Sequence, residues 1–525
     1  MRDFQLPGRS AVYARNGMCA TSHPLAAKVA IDILEQGGNA VDAAIAGAVL
    51  LGICEPQMTG IGGDCFVLLS PSDGGKVIAL NGSGRSPAAL SAQSLRDAGH
   101  ATMPVYGVQS VTVPGAVDAF CRLSADWGRL GLDHVLAPAI RYAEEGVPVA
   151  PRVAADLAKP DAKLVGAARR FFLDNGRPFA LGSLFRAPAQ AEVLRRIAKE
   201  GRAGFYDGEV AEDMVASLRA AGGLHTEADF ANTACDYTEP VSGTYHDIDL
   251  VEHPPNGQGA TAILMLNILS HFDFSGLDPF GIQRTHLEAE VAKLAYDARD
   301  RFIADPDLTA RLEHMLAPET AAKLAALIKT DRVLPPSLPG TEAVHRDTIY
   351  ITVVDANRMS VSLIYSIYHG FGSGIASDKF GILFQNRGAG FTLARGHPNE
   401  AGGTKRPMHT IIPGMLRKAG RVIMPFGVMG GAFQPAGHAR LVTNLTDFGL
   451  DLQTAIDAPR SFVEGPRLLL EHGYDAATLQ GLRDLGHDAI WSDHALGGGQ
   501  AIRIGDDGVL IGASDPRKDG IALGY

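Results

Sequence analysis

Residues 40–52 read AVDAAIAGAVLLG, a helix-length run with small and apolar side chains on every side. Such a helix is stable only when it is covered all round, so the chain must place other structure on each face of it. Asn39 stands where an N-cap side chain would accept a backbone N–H left unpaired at the helix start. Just before it, residues 24–36 form a second predicted helix, with Pro24 in its first turn and Gly37-Gly38 ending it. Residues from about 120 to 330 look mainly helical, with Ala-rich stretches such as APAQAEVLRRIAKEG at 187–201. At 525 residues and 46% hydrophobic, the chain can bury the large core this requires. Length alone suggests roughly three domains. No internal repeat or low-complexity segment divides the chain.

The character of the chain changes at Thr348. Residues 331–347, DRVLPPSLPGTEAVHRD, are rich in Pro and polar residues and read as an exposed stretch. TIYITVVD then begins abruptly as a strand, a polar loop follows at 355–359, and 360–368 form a second strand. Alternation puts Ile349, Ile351 and Val353 on one face with Val361, Leu363, Tyr365 and Ile367. Thr348, Tyr350 and Thr352 share the other face with Ser360, Ser362, Ser366 and Tyr368. Pairing Val354 with Ser360 across the loop sets Ser366 opposite Thr348, about 4.5–5.5 Å away at Cβ. A slip of two residues would part them. Thr348 is then either the start of an ordinary strand or, after a cut between Asp347 and Thr348, a new N-terminus. In the second case it carries a hydroxyl nucleophile and the free amine that activates it.

Two glycine-rich segments follow, HGFGSGI at 369–375 and FGVMGGAFQP at 426–435. Adjacent glycines such as Gly430 and Gly431 let backbone N–H groups approach a reacting carbonyl, as an oxyanion hole requires. Neither GFGSG nor GIGGD (60–64) completes a phosphate-binding pattern.

Taken in order, several segments resemble the γ-glutamyltransferase family of N-terminal-nucleophile hydrolases over nearly the whole chain. They are residues 17–66, VPGAVDAF (113–120), GFYDGEVAEDM (204–214), GGLHTEADF (222–230), DTIYITVVD, FGSGI, KRPMHTIIP (405–413) and the glycine pair. The resemblance implies a four-layer αββα sandwich with a mainly helical region in its large subunit. It also implies autocatalytic maturation into residues 1–347 and 348–525, which stay together as one interwoven αβ unit that could itself dimerise. Thr348 would be the nucleophile, Ser366 an assisting hydroxyl, and Gly430 and Gly431 the oxyanion hole. The loop HPPNGQG (253–259), ahead of another apolar helix, would border the site or serve packing alone.

The match loosens where a γ-glutamyl head would be held. Ser83 stands where the family has a carboxylate-gripping arginine, with Arg85 two places along. His409 and Thr410 replace its paired serines, Tyr368 its asparagine, and AGF (389–391) its acidic segment. A buried substrate ammonium with no acidic partner is costly, which argues against γ-glutamyl preference. Arg387 and Arg85 are candidates to fork a substrate carboxylate; the other reading is a structural salt bridge, which is favoured for Arg85 and evenly balanced for Arg387. A small carboxylate-bearing amide such as oxamate fits that pocket. The alternatives are a glutathione hydrolase or γ-glutamyltransferase, a cephalosporin-type acylase, and a self-cleaved binding protein without turnover.

Net charge −11 and a pI near 5.9 argue against nucleic-acid binding. No apolar run is long enough for a membrane span, and the first residues lack the apolar core of a signal peptide. The five scattered cysteines suit reduced thiols, so the cytoplasm is the expected compartment. No cofactor or metal is expected. His286 and Glu290, one helical turn apart in THLEAE, read as a surface or packing pair.

Overall fold

The computed structural model describes residues 5, 8–72, 74–158, 164–334 and 348–525. Two seven-stranded antiparallel sheets stack face to face with helices on both outer sides. The first sheet runs Ile521–Gly524, Met18–Thr21, Ile349–Val354, Ser360–Ser366, Asp64–Ser70, Ile78–Gly82, Asp236–Thr238. The second runs Val12–Ala14, Leu510–Ser514, Gly498–Ile504, Arg421–Met429, Gly414–Lys418, Ile248–Glu252, Val241–Tyr245. Each sheet combines strands from before and after residue 348, so neither portion of the sequence closes a core alone.

Burial in four layers follows from the side-chain pattern. Between the sheets, Phe66, Tyr350 and Ile364 of the first meet Ile411 and Met429 from the second side. The opposite face of the first sheet, with Ile349, Ile351 and Val361, packs on the helices Pro24–Glu35 and Ala40–Cys54. Outside the second sheet lie Gly259–Leu269, Ile282–Phe302 and Gln434–Thr446.

The expected apolar helix forms over Ala40–Cys54, and all fifteen of its residues are buried. Asn39 caps it, accepting from the Val41 and Asp42 N–H groups, while Asp42 reaches back to the Asn39 N–H. Leu50 has no exposed surface. Leu50→Ala is expected to cost about 2–5 kcal/mol, read as a lower urea midpoint with an unchanged slope.

The stretch 120–330 departs from its mainly helical reading in the two-residue strands Val147–Pro148 and Leu184–Phe185, which pair with each other, and more fully at 236–252. Asp236–Thr238, Val241–Tyr245 and Ile248–Glu252 are strands. They are short, and two of them form the outer end of the second sheet. Pairing with a distant sheet overrode their weak local pattern.

Candidate active site

The hairpin register is the one that alternation predicts. Val354 pairs with Ser360 and Ile349 with Tyr365, which brings the Thr348 hydroxyl to Ser366 Oγ at 3.4 Å. Both residues are buried. On its other side Ser366 pairs with Asp64 of the neighbouring strand. The glycines of GIGGD make this approach possible: a Cβ on Gly63 would sit 2.4 Å from the Ser366 carbonyl oxygen. Close packing under the site, with no phosphate involved, accounts for that motif. Asp347, on the other side of the expected cut, lies outside the described residues.

Arg387 is wholly buried and aimed at this hydroxyl pair. Its Nη2 donates to Ser366 Oγ at 3.4 Å and its Nη1 to Thr410 Oγ1 at 3.0 Å. The guanidinium lies 4.0 Å from the Tyr368 ring centre, a cation–π contact. Its Nε has no hydrogen-bond partner among the described residues. Among the described residues, no carboxylate stands within ion-pair distance of it. Burial lowers the Arg387 pKa to about 10, opposed by Tyr368 and Asp64, so it is still a cation at neutral pH.

Tyr368 and His409 complete the surroundings. Tyr368 holds a positive φ of 83° and donates its N–H to Ser366 Oγ at 2.8 Å. Burial raises its phenol pKa, with Arg387 opposing. Burial, with Arg387 adding to it, drives the His409 imidazole well below its ordinary pKa, so the ring is neutral. Its Nδ1 accepts from the Ile411 N–H, leaving Nε2–H to donate to Asp64 Oδ2 at 3.3 Å. Asp64 Oδ1 accepts from the Gly84 and Gly115 N–H groups and from Gln385 Nε2. Burial pushes the Asp64 carboxyl up to about 6 against the pull of Arg387 and these donors.

Thr348, Ser366, Arg387, Tyr368, His409 and Thr410 thus form one buried group, and Arg85 stands apart. Its side chain is 38% exposed, and its Nη1 binds Asp305 Oδ2 at 3.3 Å and the Thr404 carbonyl at 3.1 Å. The structural salt bridge is the arrangement found for Arg85. Ser83 is buried against Asn81 and Asn256. His286 and Glu290 are buried, so the surface alternative for that pair does not hold.

Gly430 and Gly431 follow the strand Arg421–Met429 at φ 125° and 56°, and Gly430 turns the chain out of the sheet. Their anchor is a residue that the sequence pattern did not single out. Gln258, at the end of the 253–259 loop, donates from Nε2 to the Thr410 carbonyl at 2.7 Å and to the Gly431 carbonyl at 3.0 Å. Arg299 Nη1 fixes its Oε1 at 2.9 Å. The same loop pairs with 409: the His409 N–H donates to the Asn256 carbonyl, and Gln258 N–H to the His409 carbonyl. Hydrogen bonds therefore run from Thr348 through Ser366, Arg387 and Thr410 to the glycine pair. Its only sequence signal was the loop's place before an apolar helix. Gln258→Leu is expected to lower kcat by about 10–100-fold with KM little changed, because it loosens a positioned donor without touching substrate. Steady-state kinetics checks this.

Residues 26–525 match the sequence pattern of a family described as Gamma-glutamyltranspeptidase. The chain is 34% identical to a glutathione hydrolase-like YwrD proenzyme of Bacillus subtilis, over 97% of this chain and 98% of that one. It is equally 34% identical to an oxamate amidohydrolase proenzyme of Klebsiella pneumoniae, with the same coverage. Among solved structures, the cephalosporin acylase from Bacillus halodurans superimposes with a TM-score of 0.92 at 38% identity, covering 100% of this chain and 99% of that one.

Proposed function

The chain belongs to the gamma-glutamyltranspeptidase family, and on that premise we propose that it is a self-processing amide hydrolase with Thr348 as nucleophile and a small carboxylate-bearing amide, such as oxamate, as substrate. In the precursor the Thr348 hydroxyl attacks the Asp347 carbonyl. An N→O acyl shift gives an ester, and water releases residues 1–347 from 348–525. The freed α-amine, with an ordinary pKa of about 7.7–8.0, is substantially a neutral base near pH 7–8. It takes the hydroxyl proton as Thr348 attacks the substrate amide, and returns it to the departing amine. Backbone N–H groups at Gly430 and Gly431 stabilise the oxyanion, each worth about 3–4 kcal/mol. Water then attacks the acyl-enzyme ester, releasing the acid and restoring Thr348.

One observation supports the substrate class: Arg387 is a buried cation beside Ser366 and, among the described residues, has no carboxylate within ion-pair distance, Asp64 acting on it only from farther off. Removing a charge from water without a counter-ion is expensive, and a substrate carboxylate supplies that counter-ion. Tyr368 and the neutral His409 offer nothing to pair with a substrate ammonium, which weighs against a γ-glutamyl head. The relative that hydrolyses oxamate, by its name, supports the same choice. The test compares kcat/KM for oxamate with that for a γ-glutamyl anilide. Oxamate is expected to win by at least about 100-fold, the value of two charge-assisted hydrogen bonds. Comparable constants would refute the assignment.

A second reading, an acylase for larger amides, is favoured by the likeness to the cephalosporin acylase. Turnover of a cephalosporin side-chain amide in preference to oxamate would establish it. The cytoplasm is part of the proposal. All five cysteines are free, and burial pushes the thiols of Cys19, Cys54 and Cys65 up, keeping them unreactive. Among the described residues no helix is long and apolar enough to cross a membrane. Recovery of the protein in an exported fraction would overturn this placement.

A further inference from the structure

A second buried cluster of chemically active side chains lies on the outer face of the second sheet's helices. His286 and Glu290 stand on the helix Ile282–Phe302 and face His487, which precedes the strand Asp488–Trp491. All three are buried. His286 Nδ1 is 2.8 Å from His487 Nε2, and Glu290 Oε1 is 4.0 Å from that same nitrogen. One ligand atom from each residue lies within 4.8 Å of the others. A tetrahedral zinc ion with bonds near 2.0–2.2 Å places its ligand atoms roughly 3.3–3.5 Å apart. The two distances bracket that spacing, so the imidazoles would have to part by about half an ångström and the carboxylate to close in on them.

Two of the three ligands are braced from behind. His286 Nε2 donates to the Lys329 carbonyl at 2.6 Å, which leaves the Nδ1 lone pair turned toward His487. Glu290 Oε2 accepts from the Leu334 N–H at 2.6 Å, which leaves Oε1 turned inward. Outer contacts of this kind fix the tautomer and orientation of metal-ligating side chains. Two interactions compete with an ion: His487 Nε2–H donates to His286 Nδ1, and would give up that proton to a metal, and Lys293 Nζ lies 2.5 Å from Glu290 Oε1. The Lys293 side chain is 25% exposed, so its flexible stem has a path out to water when a cation displaces it.

We propose that His286, Glu290 and His487 form a binding site for a zinc-class divalent cation, with water as the fourth ligand. Two imidazoles and one carboxylate suit such an ion better than calcium or magnesium, which prefer all-oxygen sets. The location gives the ion a role that rests on the cleavage proposed above. His286 and Glu290 precede Thr348 and His487 follows it, while Lys329 and Leu334, held by the same side chains, lie within about twenty residues of the expected cut in sequence. In the cut protein the ion would staple the new end of the first fragment to the second.

The test uses full-length protein stripped with a chelator and titrated with Zn²⁺ by calorimetry, with Co²⁺ as the optical probe. One saturable equivalent and the visible bands of tetrahedral Co²⁺ are expected, both lost in His487→Gln. That variant retains side-chain volume and hydrogen bonding but has no imidazole, and its circular dichroism and melting curve check the fold. Uncut Thr348→Ala protein is expected to bind Zn²⁺ equally, since the site does not need the cut. Only cut wild type should show zinc-dependent resistance to fragment separation in urea. A failure of cleavage would therefore leave the binding result standing. Absence of saturable binding, or equal binding by wild type and His487→Gln, would overturn the site.

Discussion

Thr348→Ala is expected to yield one uncut chain near 55.3 kDa by intact mass spectrometry, where wild type yields two fragments. Its amide turnover should fall on the order of 10⁴- to 10⁶-fold, the cost of deleting a nucleophile outright. The substitution removes a hydroxyl and a methyl from a buried position where the hydroxyl meets Ser366 Oγ at 3.4 Å. Loss of one neutral hydrogen bond costs only about 1 kcal/mol of stability, so the chain should still fold, and circular dichroism checks that it does. Thr348→Ser retains the hydroxyl and should retain part of both processing and turnover. Full activity in the alanine variant would remove Thr348 from the chemistry altogether. A wild-type chain that stays whole at every pH and time would deprive the hydroxyl of its proposed base.

Arg387→Met is expected to lower kcat/KM for a carboxylate-bearing amide by about 100-fold or more, through loss of charge-assisted bonds worth about 1.5–3 kcal/mol each. An uncharged amide of similar size should lose less than about tenfold. The comparison matters because Arg387 also touches Ser366 and Thr410. Equal losses on both substrates would mean that it acts through the Ser366 hydroxyl, and the carboxylate proposal would fall. Stability supplies a second readout. A buried cation without an ion-pair partner contributes little to folding, and an apolar side chain of similar volume is often neutral or stabilising. The methionine variant should therefore melt at or above the wild-type temperature while losing selectivity. Arg387→Lys preserves the charge but not the planar fork, and should recover only part of the selectivity.

How far the site was legible depends on how local its determinants are. The Thr348–Ser366 pairing follows from two strands and a loop of known length. Strand periodicity is two, so a correct turn sets every facing pair along the hairpin. The wholly buried helix was equally legible, because a segment without a polar side has one stable environment. Gln258 was not. Its partners lie 152 and 173 residues away, and nothing in NGQG distinguishes a brace from a turn. Asp64 was quoted only as the end of a glycine motif, yet it joins Gly84, Gly115, Gln385 and His409. The His286–His487 contact spans 201 residues and left no local trace.

The two arginines separate what each level of organisation decided. By itself the sequence determined the hairpin register, the buried helix and the kinship of the chain, because these rest on periodicity, on capping and on the order of motifs along the chain. It offered both Arg85 and Arg387 as carboxylate binders, leaning toward a salt bridge for Arg85 and leaving Arg387 evenly open. The stacking of the sheets then brought Asp305 to Arg85, across 220 residues, and left that guanidinium partly in water. The same stacking sealed Arg387 behind Tyr368 and Thr410 and, among the described residues, brought no carboxylate within ion-pair distance. A charge takes its chemical role from its partners and its share of solvent. Both are properties of segments that meet only once the two sheets have packed together.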